Sequence, residues 1–164
     1  MTKIKTKKIF IILLISLILL LSFLLVTKEG RCKQDYKLVD AKNEIPSLSI
    51  DLRYATKNNF TGEQIYSFKK CFLHRDTIKK LAAVQKELEK VNLSLKALDC
   101  YRPHLVQKKF WEFLPDPHYI ADPKEKGRHT RGTAIDLTLI NKKGEELPMP
   151  SVFVDFSEKS HRDY

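Results

Sequence analysis

Cysteine is scarce in this chain, and its spacing follows no familiar pattern. The 164 residues contain three cysteines, Cys32, Cys71 and Cys100. So few cysteines exclude a disulfide-rich scaffold, and their wide separation excludes a cysteine-based zinc site. Three free thiols are one alternative. A single Cys71–Cys100 bridge in an oxidising compartment is the other, because both residues fall within the predicted folded region.

Internal repeats and low-complexity tracts are also absent, and the first acidic residue is Glu29. A chain of 164 residues with 43% hydrophobic content predicts one domain with a small core. Lysines at positions 3, 5, 7 and 8 supply four units of the formal net charge of +10. The remaining basic residues are scattered among acidic ones, without a basic helix face or an RNA-type aromatic motif. We therefore expect no nucleic-acid partner.

A long apolar run follows these lysines. The 18 residues from Ile9 to Val26 carry no charge, and this length just reaches the threshold for spanning a bilayer. Residues 1–27 are therefore expected to form a basic region and a transmembrane signal-anchor. The protein is then a single-pass membrane protein whose domain lies outside the cytoplasm. A cleaved signal peptide is the alternative, but the small residues expected before a cleavage site are missing.

The rest of the chain mixes strand and helix patterns. Residues 28–47 are polar and aperiodic and are expected to be a linker, and residues 48–164 are expected to be the domain. Alternation predicts strands over Leu48–Tyr54 and Leu93–Leu98. Helical spacing predicts one helix from Asp76 or Thr77 to Lys90 and another beginning at Pro103. The side chains expected to face the core are Leu48, Ile50, Leu52 and Tyr54, then Ile78, Leu81, either Val84 or Gln85, and Leu88, then Val106, Phe110 and Phe113. Strands and helices without regular alternation predict an α+β fold.

The most informative segment is RHTRGTAIDLTL, from Arg128 to Leu139. It places His129 and Asp136 seven residues apart around Gly132, which predicts a tight turn leading into a strand. An imidazole nitrogen and a carboxylate are both zinc ligands, so the segment is a candidate metal half-site. On spacing alone, a surface or structural His–Asp pair is the alternative.

The longer string closely resembles the first metal-binding motif of the zinc D-alanyl-D-alanine dipeptidases of the vancomycin-resistance type. That family shares a fold with D-Ala-D-Ala carboxypeptidases and the hedgehog signalling domain. Three further segments resemble the family in the right order: IDLRYATKNNFTG from Ile50 to Gly62, DCYRP from Asp99 to Pro103, and the stretch from Met149 to His161. The resemblance covers about residues 45–164.

The resemblance implies a fold, a metal and roles for particular residues. It implies a hedgehog/D-Ala-D-Ala metallopeptidase-like α+β fold, with a small antiparallel sheet and flanking helices. It makes His129 and Asp136 two ligands of one Zn²⁺ per chain. It also makes Arg102 the group that stabilises negative charge developing on the scissile carbonyl oxygen. The alternative for Arg102 is a salt bridge, with Asp99 as its partner.

Some positions depart from the family pattern. Gly127 stands where the family commonly has a serine whose hydroxyl contacts the substrate's amino end. Asp155 falls in an approximate match to an aspartate-bearing segment and is expected to bind substrate. The family also carries a later Glu-x-x-His that supplies the general base and the third zinc ligand, and this chain is expected to reach Tyr164 without one. Both groups are therefore expected to be missing and the domain to be incomplete at its C-terminus. The other histidines, His74, His104, His118 and His161, are expected to be structural.

The function implied by the resemblance is zinc-dependent hydrolysis of D-Ala-D-Ala or a related peptide in bacterial cell-wall metabolism. Without the third ligand and the general base, zinc binding by residues 28–164 is expected to be weak and hydrolysis unmeasurable. One alternative is an inactive remnant or pseudoenzyme. Another, from a different class, is a membrane-tethered interaction module.

Overall fold

Five strands and three α-helices form the part of the chain that the computed structural model describes, residues 37–125 and 127–160. The strands are β1 (Leu38–Asp40), β2 (Ser49–Ile50), β3 (Phe72–His74), β4 (Leu93–Asp99) and β5 (Asp136–Asn141). The α-helices are α1 (Ala41–Glu44), α2 (Arg75–Lys90) and α3 (His104–Phe113). Single-turn 3-10 helices cover Arg53–Ala55, His129–Arg131 and Glu158–Ser160.

Two small sheets organise these elements. In the larger sheet β4 is central, parallel to β2 on one side and antiparallel to β5 on the other. A register shift between Ala97 and Asp99 places Asp99 opposite Asp136, at the end of the β4–β5 ladder. The smaller sheet pairs β1 with β3 in antiparallel fashion. The predicted α+β class is confirmed, and the sheet is mixed because the two-residue β2 joins it in parallel.

The helix α2 packs its predicted stripe on the sheet. Its first turn is capped by His74, whose Nδ1 accepts a hydrogen bond from the backbone N–H of Asp76 at 3.3 Å. Between the two alternatives for the stripe, the structure buries Gln85 and leaves Val84 49% exposed. Gln85 satisfies its amide there, because its Oε1 accepts from the backbone N–H of Leu95 at 2.9 Å.

The helix α3 follows Pro103 as predicted, but its buried face is rotated from the expected one. Phe110 is 1% exposed and packs its ring against that of Tyr54, with centroids 4.5 Å apart. Phe113 is 50% exposed, so the prediction that it faces the core is wrong. Gln107 is buried instead, one turn before Phe110. A polar residue on the buried face hid the true phase of this helix.

Two predicted boundaries in the N-terminal part of the domain are also wrong. Residues 38–44, expected to be linker, form β1 and α1, and Ala41 is fully buried. A three-residue strand has too little alternation to be visible locally, and its partner β3 lies more than thirty positions away. The strand predicted over Leu48–Tyr54 is shorter, because Arg53–Ala55 turns into a 3-10 helix.

The predicted signal-anchor, residues 1–27, lies outside the described residues. Within residues 37–125 and 127–160, none of the helices has the length and apolar character needed to cross a bilayer. This finding overturns the predicted location as a single-pass membrane protein with an extracytoplasmic domain. It also leaves attachment to the membrane through a helix without support.

One disulfide joins the start of β3 to the end of β4. Cys71 and Cys100 are bonded, with their Cα atoms 5.3 Å apart, and both side chains are buried. Of the two alternatives that the sequence left open, the structure therefore has the bridge rather than free thiols at these positions. The bridge matters for the site because Cys100 lies directly between Asp99 and the backbone that carries Arg102.

We predict that replacing both bridge residues, Cys71→Ala with Cys100→Ala, lowers the free energy of unfolding by about 3–4 kcal/mol. The loop-entropy relation gives this size for the 29-residue separation of the two cysteines. Urea unfolding of the full chain measures it. As a control, a reductant should destabilise the unaltered chain and leave the double variant unchanged. An equal midpoint for the two proteins under oxidising conditions would contradict the prediction.

Candidate active site

His129 is carried by a 3-10 turn that Gly132 closes. Gly132 has a φ of +67°, a left-handed conformation that glycine adopts without steric cost. The turn is fastened to the domain because the backbone N–H of His74 donates to the Gly132 carbonyl at 2.8 Å. A Cβ at Gly132 would come within 2.5 Å of Leu38 Cδ2. The position therefore requires glycine for two separate reasons.

Asp136 faces His129 from the first position of β5. The imidazole Nε2 lies 3.4 Å from Asp136 Oδ1. The other ring nitrogen, Nδ1, is 2.8 Å from the carbonyl oxygen of Cys100, and because a carbonyl can only accept, Nδ1 carries the hydrogen. In the neutral ring Nε2 therefore presents its lone pair toward Asp136, the tautomer that a metal ligand needs.

The separation of these two atoms fits a shared zinc ion. Zinc binds histidine nitrogen and carboxylate oxygen at about 2.0–2.2 Å, so two ligands in a tetrahedral site lie about 3.3–3.6 Å apart. The observed 3.4 Å between Nε2 and Oδ1 falls in this range. The Asp136 side chain keeps 40% of its surface exposed and His129 keeps 19%, so the space between them opens outward. The predicted half-site is thus assembled by the fold.

Asp99 lies beside this pair but is already fully engaged. Together with His129 and Asp136 it forms a group whose ligand atoms lie within 4.8 Å of one another. Its Oδ1 accepts from the Tyr66 hydroxyl at 2.8 Å and the Cys100 backbone N–H at 2.9 Å. Its Oδ2 accepts from Arg102 Nε at 3.1 Å and Nη2 at 2.7 Å. Asp99 therefore holds Arg102 in place, and both of its oxygens are already used as hydrogen-bond acceptors. It is not free to act as a third zinc ligand.

Arg102 lies between Asp99, the Phe110 ring and Asp136. It forms the salt bridge with Asp99, and its Nη2 also lies 3.9 Å from Asp136 Oδ2. Arg102 thus borders the two candidate zinc ligands, His129 and Asp136, which we call the metal pair. Its guanidinium stacks over the Phe110 ring at 4.8 Å, and its side chain is only 11% exposed. A permanent positive charge is thus held next to the candidate metal position in surroundings that contain little water.

The charges of the site shift one another's pKa. Burial lowers the pKa of His129, but the hydrogen bond and charge of Asp136 outweigh burial and raise it above its ordinary value. Burial raises the pKa of Asp136, and the stronger effects of His129 and Arg102 bring it below its ordinary value. For Asp99 burial dominates and raises the pKa, against the opposing charge of Arg102. Each member of the pair therefore stabilises the charged form of the other.

A cleft of about 1370 Å³ opens in front of Asp136 and Arg102. The aromatic residues along its walls are Tyr54, Phe60, Phe110, Tyr119, Phe153 and Phe156. Asp155, the predicted substrate-binding residue, also lines the cleft. So does His118, which the sequence placed among the structural histidines, whereas His104 is exposed at the start of α3 and His74 caps α2.

Two departures from the family pattern concern Gly127 and the Glu-x-x-His pair. At Gly127 a Cβ would lie 3.3 Å from Thr130 Oγ1, so a serine would crowd the threonine next to His129. The prediction that the chain contains no Glu-x-x-His is wrong as a statement about spacing, because Glu158 and His161 have it, inside the SEKSH stretch. Glu158 is exposed in its 3-10 turn, and His161 lies outside the described residues.

Two residues of the site were missed from the sequence. Tyr66 hydrogen-bonds Asp99, and the buried Gln107 accepts a hydrogen bond from Arg102 Nη1 at 3.0 Å. Tyr66 sits in an aperiodic stretch, and its contact with Asp99 spans 33 positions. For Gln107 a signal was present, since it falls on the α3 face that carries Phe110.

A histidine and an aspartate at ligand spacing beside a buried arginine form an arrangement that a metal-dependent peptidase can use. The sequence model of the D-ala-D-ala dipeptidase family matches residues 34–164, and the chain belongs to this family. It is also similar to a D-alanyl-D-alanine dipeptidase of Escherichia coli (strain K12), with 41% identity over 125 residues. The alignment covers 76% of this chain and 65% of that relative, so the chain spans just under two thirds of the relative's length.

We predict that Gly132→Ala destabilises the chain by about 1–3 kcal/mol more than Gly144→Ala. Both glycines have positive φ, so both substitutions incur a similar backbone strain of about 1–2 kcal/mol. Only at Gly132 does the new Cβ meet neighbours, whereas nothing lies within 4 Å at Gly144. Chemical denaturation of the two variants gives the difference. Equal losses would show that the turn carrying His129 is not tightly packed against Leu38.

Proposed function

We propose that this chain catalyses zinc-dependent hydrolysis of D-Ala-D-Ala or a closely related cell-wall peptide. This proposal replaces the expectation that a missing third ligand and general base make hydrolysis unmeasurable. The observation that carries the proposal is the 3.4 Å separation between His129 Nε2 and Asp136 Oδ1, together with the hydrogen bond that fixes the imidazole tautomer. Membership of the dipeptidase family and the similarity to the named relative support the substrate. The cleft lined by Asp136 and Arg102 has room for a peptide next to these two side chains.

In this proposal His129 and Asp136 hold the zinc ion. Bound zinc supplies Lewis-acid chemistry, which polarises a carbonyl and makes water acidic enough to act as a nucleophile near neutral pH. The Cys100 carbonyl keeps the His129 ring in place and in the required tautomer. Within the part of the chain that the structure describes, the group formed with Asp99 is the only cluster of metal-ligating side chains, and Asp99 is occupied by Arg102.

Arg102 stabilises the charge that develops on the scissile carbonyl oxygen. Its guanidinium cannot lose its proton and is held on two sides, by Asp99 and by the Phe110 ring. A donor that is already oriented needs no reorganisation as charge builds up, and low exposure strengthens the interaction. Asp155, further along the cleft, is proposed to bind the amino end of the substrate through its negative charge.

We predict that His129→Ala abolishes specific zinc binding, whereas His104→Ala leaves it unchanged. His104 is the matched control because it is exposed at the start of α3 and lies outside the group formed by Asp99, His129 and Asp136. Calorimetry on the full chain measures the affinity. With two ligands from the described residues, binding should be weaker than the roughly 10–16 kcal/mol of structural zinc sites. Tight binding that survives His129→Ala would refute this metal site and make His161 the next residue to replace.

We predict that Arg102→Lys lowers kcat for D-alanine release by about 10²–10³-fold while zinc affinity is unchanged. Lysine keeps the charge but loses the planar, two-sided attachment to Asp99. Arg53→Lys is the matched control, because Arg53 lines the same cleft and pairs instead with Asp51 and Glu146. A zinc-loaded chain that releases no D-alanine would contradict the proposed hydrolysis and favour a protein that binds without catalysis.

A further inference from the structure

Gln107 is a buried polar residue that makes two hydrogen bonds with unrelated parts of the site. It lies on α3 and is 2% exposed. Its Oε1 accepts from Arg102 Nη1 at 3.0 Å. Its Nε2 donates to the Ala121 carbonyl at 2.7 Å. The side chain therefore links the catalytic arginine to the segment that leads toward His129.

The chemistry of the two partners permits one orientation of the Gln107 amide. A guanidinium can only donate, so it must face the amide oxygen, and a backbone carbonyl can only accept, so it must face the amide nitrogen. Rotating the amide by half a turn would oppose donor to donor and acceptor to acceptor. Arg102 and Ala121 thus fix the orientation of the Gln107 amide, and the amide restrains both of these partners.

The bond to Arg102 constrains the edge of the guanidinium that Asp99 leaves unattached. Asp99 takes Nε and Nη2, so Nη1 is fixed by Gln107. With both edges attached, the plane of the guanidinium cannot pivot over the Phe110 ring. One further hydrogen on each terminal nitrogen stays available, and Nη2 lies on the side of Asp136.

The bond to Ala121 constrains the approach to the metal pair. Ala121 Cβ lies 3.8 Å from the position that a Cβ on Gly127 would occupy, so these two parts of the segment lie side by side. Gly127 comes two positions before His129. A backbone hydrogen bond also joins the two ends of this path, because the Arg102 N–H donates to the His129 carbonyl at 3.2 Å. Gln107 therefore acts on Arg102 and on the segment before His129 together.

We propose that Gln107 is a positioning residue that fixes the guanidinium of Arg102 relative to the metal pair. The proposal rests on the proposed hydrolysis for its kinetic consequence, while its structural consequence can be measured without any turnover. Gln107 touches neither the metal position nor the substrate in this account. It acts through Arg102.

The matched control is a second buried glutamine. Gln85 is also 2% exposed and uses its amide fully, but its partners include Ser94 and the backbone of Leu95 near the start of β4, away from Asp99. Gln107→Met and Gln85→Met remove the same groups with little change in volume. Both variants should lose similar stability. A difference in their activities would therefore arise from the place of each glutamine relative to Arg102 and not from a difference in folding.

In the zinc-loaded full chain, we expect Gln107→Met to lower kcat for D-alanine release by about 10- to 100-fold with KM within about threefold. Gln85→Met should keep kcat within about threefold of the unaltered chain. In an Arg102→Lys background, Gln107→Met should add less than about twofold, because the group it positions is gone. Equal losses in the two methionine variants, or full additivity with Arg102→Lys, would overturn the proposal.

Guanidinium NMR decides the structural claim even if the chain hydrolyses nothing. Resonances of Arg102, assigned by their absence in Arg102→Lys, should show hindered rotation and slow solvent exchange. Gln107→Met should speed that exchange by at least about tenfold, and Gln85→Met should not. Gln107→Glu, which retains an oxygen acceptor for Nη1, should restore slow exchange. Unchanged exchange in Gln107→Met, or fast exchange in Gln107→Glu, would overturn the proposal. Failure of the hydrolysis alone would refute the proposed function and leave this comparison to decide the role of Gln107.

Discussion

The burial of the Asp99 carboxylate is the constraint on which the rest of the site depends. A carboxylate removed from water is costly unless it is paired and hydrogen-bonded, and Asp99 is fully buried. It meets this requirement with four donors, from Tyr66, the Cys100 backbone and two nitrogens of Arg102. The direction of Arg102 follows from that pairing, as does the local backbone at Cys100, whose carbonyl then faces His129.

Covalent and backbone links around Asp99 hold the metal pair at the distance observed. The Cys71–Cys100 bridge joins the residues just outside β3 and β4, and the Tyr101 backbone N–H donates to Phe72 at 3.0 Å. The turn that carries His129 is fastened to the same region through Gly132 and the backbone of His74. These attachments converge on the backbone around Cys100 and hold the turn that carries His129 close to it.

The sequence was sufficient to identify candidate site residues that belong to a short motif. His129, Asp136 and Arg102 were all found in this way, and the structure brings them together. A role that depends on a distant partner was hidden, since the hydrogen bond between Tyr66 and Asp99 spans 33 positions. Gln107 did carry a signal, its place on the α3 face of Phe110, but a polar residue there looked like an interruption of the apolar stripe. The same limit explains the error at Phe113, because the register of a helix on its sheet is decided by packing. The predicted membrane location failed differently, since it came from the apolar run before the domain and not from the domain itself.

We propose that His129 and Asp136, beside Arg102, form a zinc site in which both ligands are in place before the metal binds. Diffraction from zinc-soaked crystals of the full chain, recorded on both sides of the zinc absorption edge, tests it most directly. We expect one anomalous peak at about 2.0–2.2 Å from both His129 Nε2 and Asp136 Oδ1, with the Asp99–Arg102 pair unchanged. A peak that includes Asp99 as a ligand and displaces Arg102, or zinc bound only elsewhere, would contradict it.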